Sequence, residues 1–339
     1  MTKLNKRKYR ELVKDQFTPS LRYFFTDFLI TYAIMVAATI YWMVGPQGYQ
    51  WLGYIVAVFA VYHAFLFVHD NVHLPKKDFA VFTQVWDVMA GSLFMMPTFM
   101  YESHMDHHIP KKYGTIKDPE YLVLAGKSPL RLLAFLLEHM FVIPIVIYLR
   151  MTLGLPIRLL NKKLSNTLDE RVSALVINWS YTRAKKLNPG KIIRLEASAL
   201  VITSALIYLT MIDVVNPVYI GKGIAILIGA LFINGVRTLA AHRYANYDLR
   251  ELNETEQLID SLNYVGPAWI GLLVAPIGLR YHALHHLFPT IPYHNLHKAH
   301  NIIMANIDDD DPYHQTCFNS YLGHIFKMPN DTEGLVISE

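Results

Sequence analysis

Apolar residues in this chain gather in long runs rather than in alternating patterns. Four runs, 28–44, 51–68, 195–212 and 218–236, approach the roughly 20 residues that a helix needs to cross the hydrocarbon of a membrane. They fall into two pairs. The connector 45–50 is short and uncharged, and the connector 213–217 is also short. Each pair therefore reads as a helical hairpin that leaves one side of the membrane and returns to it.

Polar positions fix the side. Lys and Arg concentrate before Phe28, at Lys76 and Lys77, at Lys111, Lys112 and Lys117, and from Arg150 to Arg194. Positive charge marks the cytoplasmic side, so the termini and the segments between hairpins are expected there. Two further apolar stretches, 79–99 and 130–153, have basic segments on both sides. A single crossing by either would break the charge rule for everything after it. Pro97 interrupts the first, and Glu138, His139 and Pro144 interrupt the second. A lipid-facing carboxylate is costly, so both are expected to be interfacial or re-entrant. The fold expected is an all-α membrane protein with two transmembrane hairpins (four spans), interfacial or re-entrant helices and a cytoplasmic histidine-bearing cap.

Three segments follow from this pattern: a basic N-terminal surface segment 1–23, a membrane domain 24–304 and a cytoplasmic C-terminal tail 305–339. In the first, Tyr9, Leu12 and Val13 fall on one side of a possible basic helix, of the kind that lies on anionic membrane surfaces. A solvated tail reads equally well. The acidic run 308–311 reads as a solvated loop.

Composition agrees with a membrane enzyme. Hydrophobic residues make up 53% of the 339 positions and charged ones only 17%, both unusual for a soluble protein. The net charge of +4 is modest and the basic residues flank apolar runs, so nothing suggests a nucleic-acid partner. Cys317 is the lone cysteine, which excludes an internal disulfide and thiolate metal clusters.

Histidine is the outlier, with 16 residues, and three tight clusters stand out: His69/His73, His104/His107/His108 and His282/His285/His286. The last two share the spacing H-x-x-H-H. A random chain of this composition would contain that pattern only about 0.04 times. Residues three and four apart share a helix face, so each box is expected to present its imidazoles to one point. Eight imidazoles exceed the four ligands of a structural zinc or the three of a catalytic one, which makes two metals the economical reading. Imidazole suits iron, copper, zinc and nickel alike. Asp70, Asp106 and Asp118 stand near the boxes and are candidates to hydrogen-bond the ligands, as carboxylates commonly do. His63, His139, His314 and His324 read as structural. His294, His297 and His300 recur in steps of three, a spacing that drifts around a helix and suits one metal poorly.

These residues resemble the membrane fatty acid desaturase family, bacterial-type members in particular, from the first span to about Met304. Box two continues to Gly114, Thr115, Asp118 and Pro119 in a way that looks like the family's segment. The stretch around Arg237, Leu239, His242, Arg243 and Asn246 looks like the family's additional histidine after the last span. The run from Gly278 through Tyr281 and His286 to Pro289 is also similar. The resemblance implies two iron ions, dioxygen as co-substrate, an acyl-lipid or acyl-thioester substrate, and His242 as a ninth ligand. It also implies an external electron carrier of ferredoxin or cytochrome b5 type, since the chain carries no fused carrier domain. Lys111, Lys112, Lys185 and Lys186 could attract an acidic carrier.

An unactivated methylene is beyond any protein acid, base or nucleophile, so a metal cofactor must supply the oxidising power. Desaturation of an acyl chain is the expected reaction, in an apolar tunnel lined by Met95, Met96, Met100 and Trp269. A hydroxylase or ketolase on the same scaffold is the alternative. A metal transporter or sensor fits less well, because transport sites lie near the bilayer midplane and these boxes lie at span ends. The charge pattern makes a direct prediction: cysteines placed at Lys112 and Lys185 should be labelled by an impermeant reagent from the same side. Labelling from opposite sides would defeat the four-span reading.

Overall fold

The computed structural model describes residues 4–184, 186–331 and 334–335; Lys185 lies outside the described residues. The chain is mainly helical, with almost no sheet. In order come α1 (Lys6–Leu12), α2 (Leu21–Val44), α3 (Gln50–His73), α4 (Lys76–Trp86), α5 (Thr98–Tyr101), α6 (His104–His107), α7 (Pro129–Leu137) and α8 (Ile143–Leu160). Then follow α9 (Lys162–Arg171), α10 (Pro189–Met211), α11 (Pro217–Leu239), α12 (Glu254–Asp260), α13 (Ala268–Val274), α14 (His282–Leu287), α15 (Tyr293–Met304) and α16 (Tyr321–Lys327). Two short strands, β1 (Asn263–Tyr264) and β2 (Cys317–Phe318), pair in parallel.

Local sequence sets the helix ends. Ser20 caps α2 by accepting the Tyr23 N–H. Both α10 and α11 begin with Asn-Pro: Asn188 and Asn216 accept backbone N–H groups of the first turn, and Pro189 and Pro217 take the first helical position, where a missing N–H costs nothing. Pro75 ends α3 just past His73, because a residue before proline is pushed out of the helical region.

The two hairpins are α2–α3 and α10–α11, and α3 is the central helix, enclosed along most of its length. Small residues let neighbours close on it. A Cβ on Gly53 would lie 2.7 Å from the Trp42 nitrogen of α2, and one on Gly229 of α11 would lie 2.8 Å from the Val58 Cγ2 of α3. Phe24, Phe28, Phe67, Phe79, Phe82 and Tyr293 pack edge to face, joining α2, α3 and α4 to the cap helix α15.

The expected apolar stretch 79–99 is broken into α4, a wide turn at Asp87–Gly91 and a bend ahead of Pro97. The other stretch is continuous. Helices α7 and α8, joined by a wide turn at Glu138–Val142, form one rod over Pro129–Leu160, so five helices are long and apolar enough to cross a membrane. The polar residues that counted against a crossing find partners within the protein. His139 Nδ1 donates to the Phe135 carbonyl and Glu138 accepts from Trp179. Farther along the rod, Arg150 is buried against Ser173, Glu196 and Asp169.

The N-terminal segment docks on the cap. Tyr9 and Val13 are fully buried; the Tyr9 hydroxyl donates to Asp311 and its ring meets Tyr313 edge to face. The acidic run thus holds the strap that crosses it. Residues past 304 also pack inward, with Tyr313 and Thr316 fully buried.

At the end of the bundle away from the boxes, Lys222 of α11 ties the hairpins together. Its ammonium donates to the Trp42 and Met43 carbonyls and to Gln50 Oε1, at 2.9, 3.0 and 3.0 Å. A cation there satisfies the last, unpaired carbonyls of α2 and its negative dipole end. Lys222→Met should therefore cost about 1–3 kcal/mol, read as a lower melting temperature in detergent with metal content unchanged.

Candidate metal centre

Helices α3 and α11 end on the same side of the bundle, so His73 closes α3 and His242 follows α11 by three residues. The segment after α4 brings α6 beneath them, and α14 enters from the C-terminal half. The result is nine imidazoles in two groups. His69, His73, His104, His108 and His285 form one, and His107, His242, His282 and His286 form the other, with the ligand atoms of each group within 4.8 Å of one another.

This differs from one expectation. Neither H-x-x-H-H box points at a single centre. His104 and His108 serve one group while His107 serves the other; His282 and His286 serve one while His285 serves the other. The helical repeat explains it. At about 100° per residue, positions i and i+4 differ by about 40°, whereas i+3 and i+4 differ by about 100°. The doubled histidine of each box therefore straddles two centres, and the boxes lock the two groups together.

Hydrogen bonds on the outer nitrogens decide what the inner ones can do. His104 Nδ1 donates to Glu120 Oε1 at 2.7 Å and His107 Nδ1 to both Asp118 oxygens at 2.8 Å. His242 Nδ1 donates to the Tyr113 hydroxyl at 2.8 Å, which in turn donates to Asp260 Oδ2 at 2.7 Å. With Nδ1 protonated, a neutral imidazole offers only a lone pair at Nε2. Yet Nε2 atoms face each other: His104 and His108 at 2.9 Å, His108 and His285 at 3.1 Å, His107 and His242 at 3.2 Å, His242 and His282 at 2.9 Å, His282 and His286 at 3.1 Å. Nε2 of His69 and of His73 is buried with no hydrogen-bond partner. Converging lone pairs repel unless a cation lies between them, and nitrogens sharing one cation stand about 3 Å apart. The donor set fits two metal ions.

Electrostatics keep the imidazoles in the ligating form. Burial, reinforced by neighbouring histidines, holds His104, His108, His282, His285 and His286 well below the usual range, hence neutral. Burial lowers His242 as well, against the pull of Asp260. At His107 burial also acts downward, but Asp118 and further carboxylates outweigh it and the net shift is upward. Asp260 is fully buried. Burial alone would raise it, but His242, Tyr113 and Tyr121 hold it low.

Of the three carboxylates singled out from sequence, Asp118 lies against His107. Asp70 is 3.4 Å from His69 Nδ1 and accepts the Tyr293 N–H at 3.2 Å. Asp106 is a correction: it meets no imidazole and instead accepts from Lys112 and the Tyr181 hydroxyl, both at 2.8 Å, because it lies on the far side of α6 from the histidines. Glu120 and Asp260 were missed. Glu120 sits two residues past Asp118 in the segment already noted, so a signal existed; Asp260 has none, since it reaches His242 only through the fold.

The remaining histidines stay apart from both groups. His63 approaches Asp27 at 3.5 Å. His294 accepts the Ser20 N–H, His297 meets Tyr281 and Arg280, and His300 meets Tyr313.

Three cavities adjoin the imidazoles or continue from them. One of about 120 Å³ reaches His69 and Glu120 and is lined by Met96, Tyr101, Ile143, Leu231, Asn234 and Arg237 among others. Met96, Ile143 and Leu231 also line a second, of about 560 Å³, which is almost wholly apolar and runs between the hairpins to Val215 and Tyr219. On the other side a cleft of about 60 Å³ reaches His107, His108 and His286 past Leu4, Lys6 and Gln257. Met95 and Met96 line the apolar cavity as expected. Met100 packs instead with Ile147, Met151 and Ala199, and Trp269 is 65% exposed on α13. Neither lines these cavities.

The profile of the fatty acid desaturase family matches residues 42–317. A ceramide hydroxylase of Caulobacter vibrioides is 34% identical over 316 residues, covering 91% of this chain and 88% of that protein.

The two groups predict separable effects. His242→Ala should lower bound metal by about half, since one group loses a ligand, while His63→Ala should leave metal content unchanged. Asp260→Asn should weaken metal binding roughly 10- to 100-fold. Titration of metal into protein freed of it measures all three.

Proposed function

The chain belongs to the fatty acid desaturase family, and on that premise we propose that it uses dioxygen to hydroxylate a long chain of a ceramide-like membrane lipid. The observation that carries this reading is the pair of imidazole groups, reached through His69 by a cavity that continues into an almost wholly apolar one. The metal of the family is iron, and two iron ions held by His69, His73, His104, His108 and His285 on one side and His107, His242, His282 and His286 on the other would supply the oxidising power that an unactivated C–H bond requires. His285 and His108 belong to one group and His286 and His107 to the other, so the chain holds both sites in one rigid block.

The protein's own part is positional. The apolar cavity takes the lipid tail and excludes water from it. Glu120, Asp118 and the Tyr113–Asp260 pair fix the tautomers of His104, His107 and His242, so that every Nε2 presents a lone pair inward. The balance of the reaction is one oxygen atom inserted into C–H and the other released as water. That needs two electrons and two protons from outside. An external carrier of ferredoxin or cytochrome b5 type supplies the electrons. The cleft beside His107, His108 and His286 opens opposite the lipid cavity, so carrier and lipid need not compete for one entrance. By the charge pattern, this face and both termini are cytoplasmic.

Hydroxylation rather than desaturation is favoured by the ceramide hydroxylase that resembles the chain over nearly its whole length. The family profile keeps acyl-chain desaturation as the second reading. Membranes containing the protein, an electron-donor system, isotopically heavy dioxygen and a ceramide separate the two by mass spectrometry. One heavy oxygen atom in the lipid is the expected result. Loss of two hydrogens without added oxygen would establish a desaturase instead, and no reductant-dependent change in any lipid would overturn the assignment.

A further inference from the structure

Arg237 occupies the last turn of α11 and lines the smaller cavity between His69 and the apolar cavity. Its guanidinium is only partly satisfied, with Tyr62 in reach. Nη2 reaches Asn234 Oδ1 and Thr238 Oγ1, each at 3.3 Å, and Nε is buried without a hydrogen-bond partner. Asn234 lines the same cavity one turn earlier, and its Oδ1 accepts from Arg237, which leaves the amide N–H groups to donate elsewhere. Tyr101 and Glu120 complete the polar wall, with Glu120 committed to His104. Beyond Met96, Ile143 and Leu231 the lining turns apolar and stays so to Tyr219.

A buried donor left without an acceptor is costly, and a guanidinium presents its N–H groups in a fixed fork that suits oxygen acceptors. Such a group beside a binding cavity is paired when a ligand oxygen arrives. The polarity is also one-sided. A lipid oxidised in the middle of a plain hydrocarbon chain would need apolar walls on both sides of the metals. Here the wall next to the imidazoles carries donors among its apolar side chains, whereas the far part is almost wholly apolar.

We propose that Arg237 and Asn234 bind a carbonyl or hydroxyl oxygen of the substrate, and so select lipids that bear such an oxygen within a few carbons of the oxidised position. This rests on the lipid-oxidising function proposed above and specifies it: the polar end of an amide-linked lipid lies at Arg237 and Asn234, its first methylenes lie beside His69, and its tail enters the apolar cavity. A simple acyl chain lacks the oxygen at this place and leaves the Arg237 Nε without a partner, and a site built around a polar contact rejects such an analogue far more strongly than one built on shape.

The test uses the full-length protein in lipid nanodiscs with an electron-donor system. Three substrates are compared: a ceramide, a chain-matched analogue without the amide carbonyl and hydroxyls, and a phospholipid with plain acyl chains. The protein should prefer the ceramide over the analogue by about 100-fold or more in kcat/KM. Arg237→Gln and Asn234→Leu should shrink that preference at least about tenfold, mainly by raising KM for the ceramide, with a much smaller loss on the analogue. Ceramide should also raise the melting temperature of the unmodified protein more than the analogue does, and Arg237→Gln should abolish the difference while keeping its bound metal. A preference that survives both substitutions, or equal loss on ceramide and analogue, would overturn the proposal. If the unmodified protein oxidises only the plain acyl phospholipid, the inference fails while lipid oxidation stands. If it oxidises no lipid, the proposed function itself fails.

Discussion

Lone-pair repulsion among buried imidazoles is the constraint around which the cap is built. Nine of them share a space where Nε2 atoms stand 2.9–3.2 Å apart. Protonation offers no way out, because burial and mutual proximity hold most of them neutral. A cation in each group would turn the repulsion into coordination. The folding free energy of the cap is then linked to metal binding, as in other sites that are not preformed in the unfolded chain. The segments contributing imidazoles come from both hairpins and from two cap helices, so a bound metal would also join parts of the chain more than 200 residues apart, such as His69 and His285.

The membrane part exists to present helix ends. Helix α3 carries its histidines in its last two turns, and α11 delivers His242 just past its end. Because each hairpin returns to the side from which it left, both helix ends lie at one face without a long connection. The doubled histidines of α6 and α14 then do what a span cannot. Their 100° divergence lets one short helix serve two centres and fixes the spacing between them. The carboxylates and tyrosines behind the rings remove the remaining freedom, since a ring whose Nδ1 is tied down cannot flip or change tautomer.

Much of this was legible in the sequence for identifiable reasons. The spans announce themselves by length and apolarity, and the boxes by histidine spacing. His242 had no spacing signal and was found only by resemblance; the structure brings its ring into the second group. What could not be read depends on contacts across the fold. Which group each half of the two H-x-x-H-H boxes joins depends on the relative rotation of α3, α6 and α14. Asp260 is buried eighteen residues after His242, with nothing local to mark it. Asp106 looked equivalent to Asp118 by proximity in sequence, yet it faces Lys112 and Tyr181. The continuity of Pro129–Leu160 resisted reading because Glu138, His139 and Pro144 look like interruptions of a long apolar helix until the contacts of the first two are known.

Charges buried elsewhere in the molecule show what full satisfaction looks like. Arg150 donates to Ser173, Glu196 and Asp169, and Arg158 shares the same two carboxylates and Ser165. Lys222 has three acceptors. These groups clamp α8 to α10 and one hairpin to the other, and their pairing is what makes charge tolerable in a low-dielectric interior. Arg237 departs from the pattern, with two contacts at 3.3 Å and a bare Nε. It does so at the one junction where the wall passes from imidazoles to hydrocarbon. Sites that break a rule obeyed around them are where function is expected. Tyr62 and Glu120 favour a cation at this position, but neither covers the bare Nε. Recognition does explain it, because a donor held out of water gives a lipid oxygen more than water can and gives a plain chain nothing.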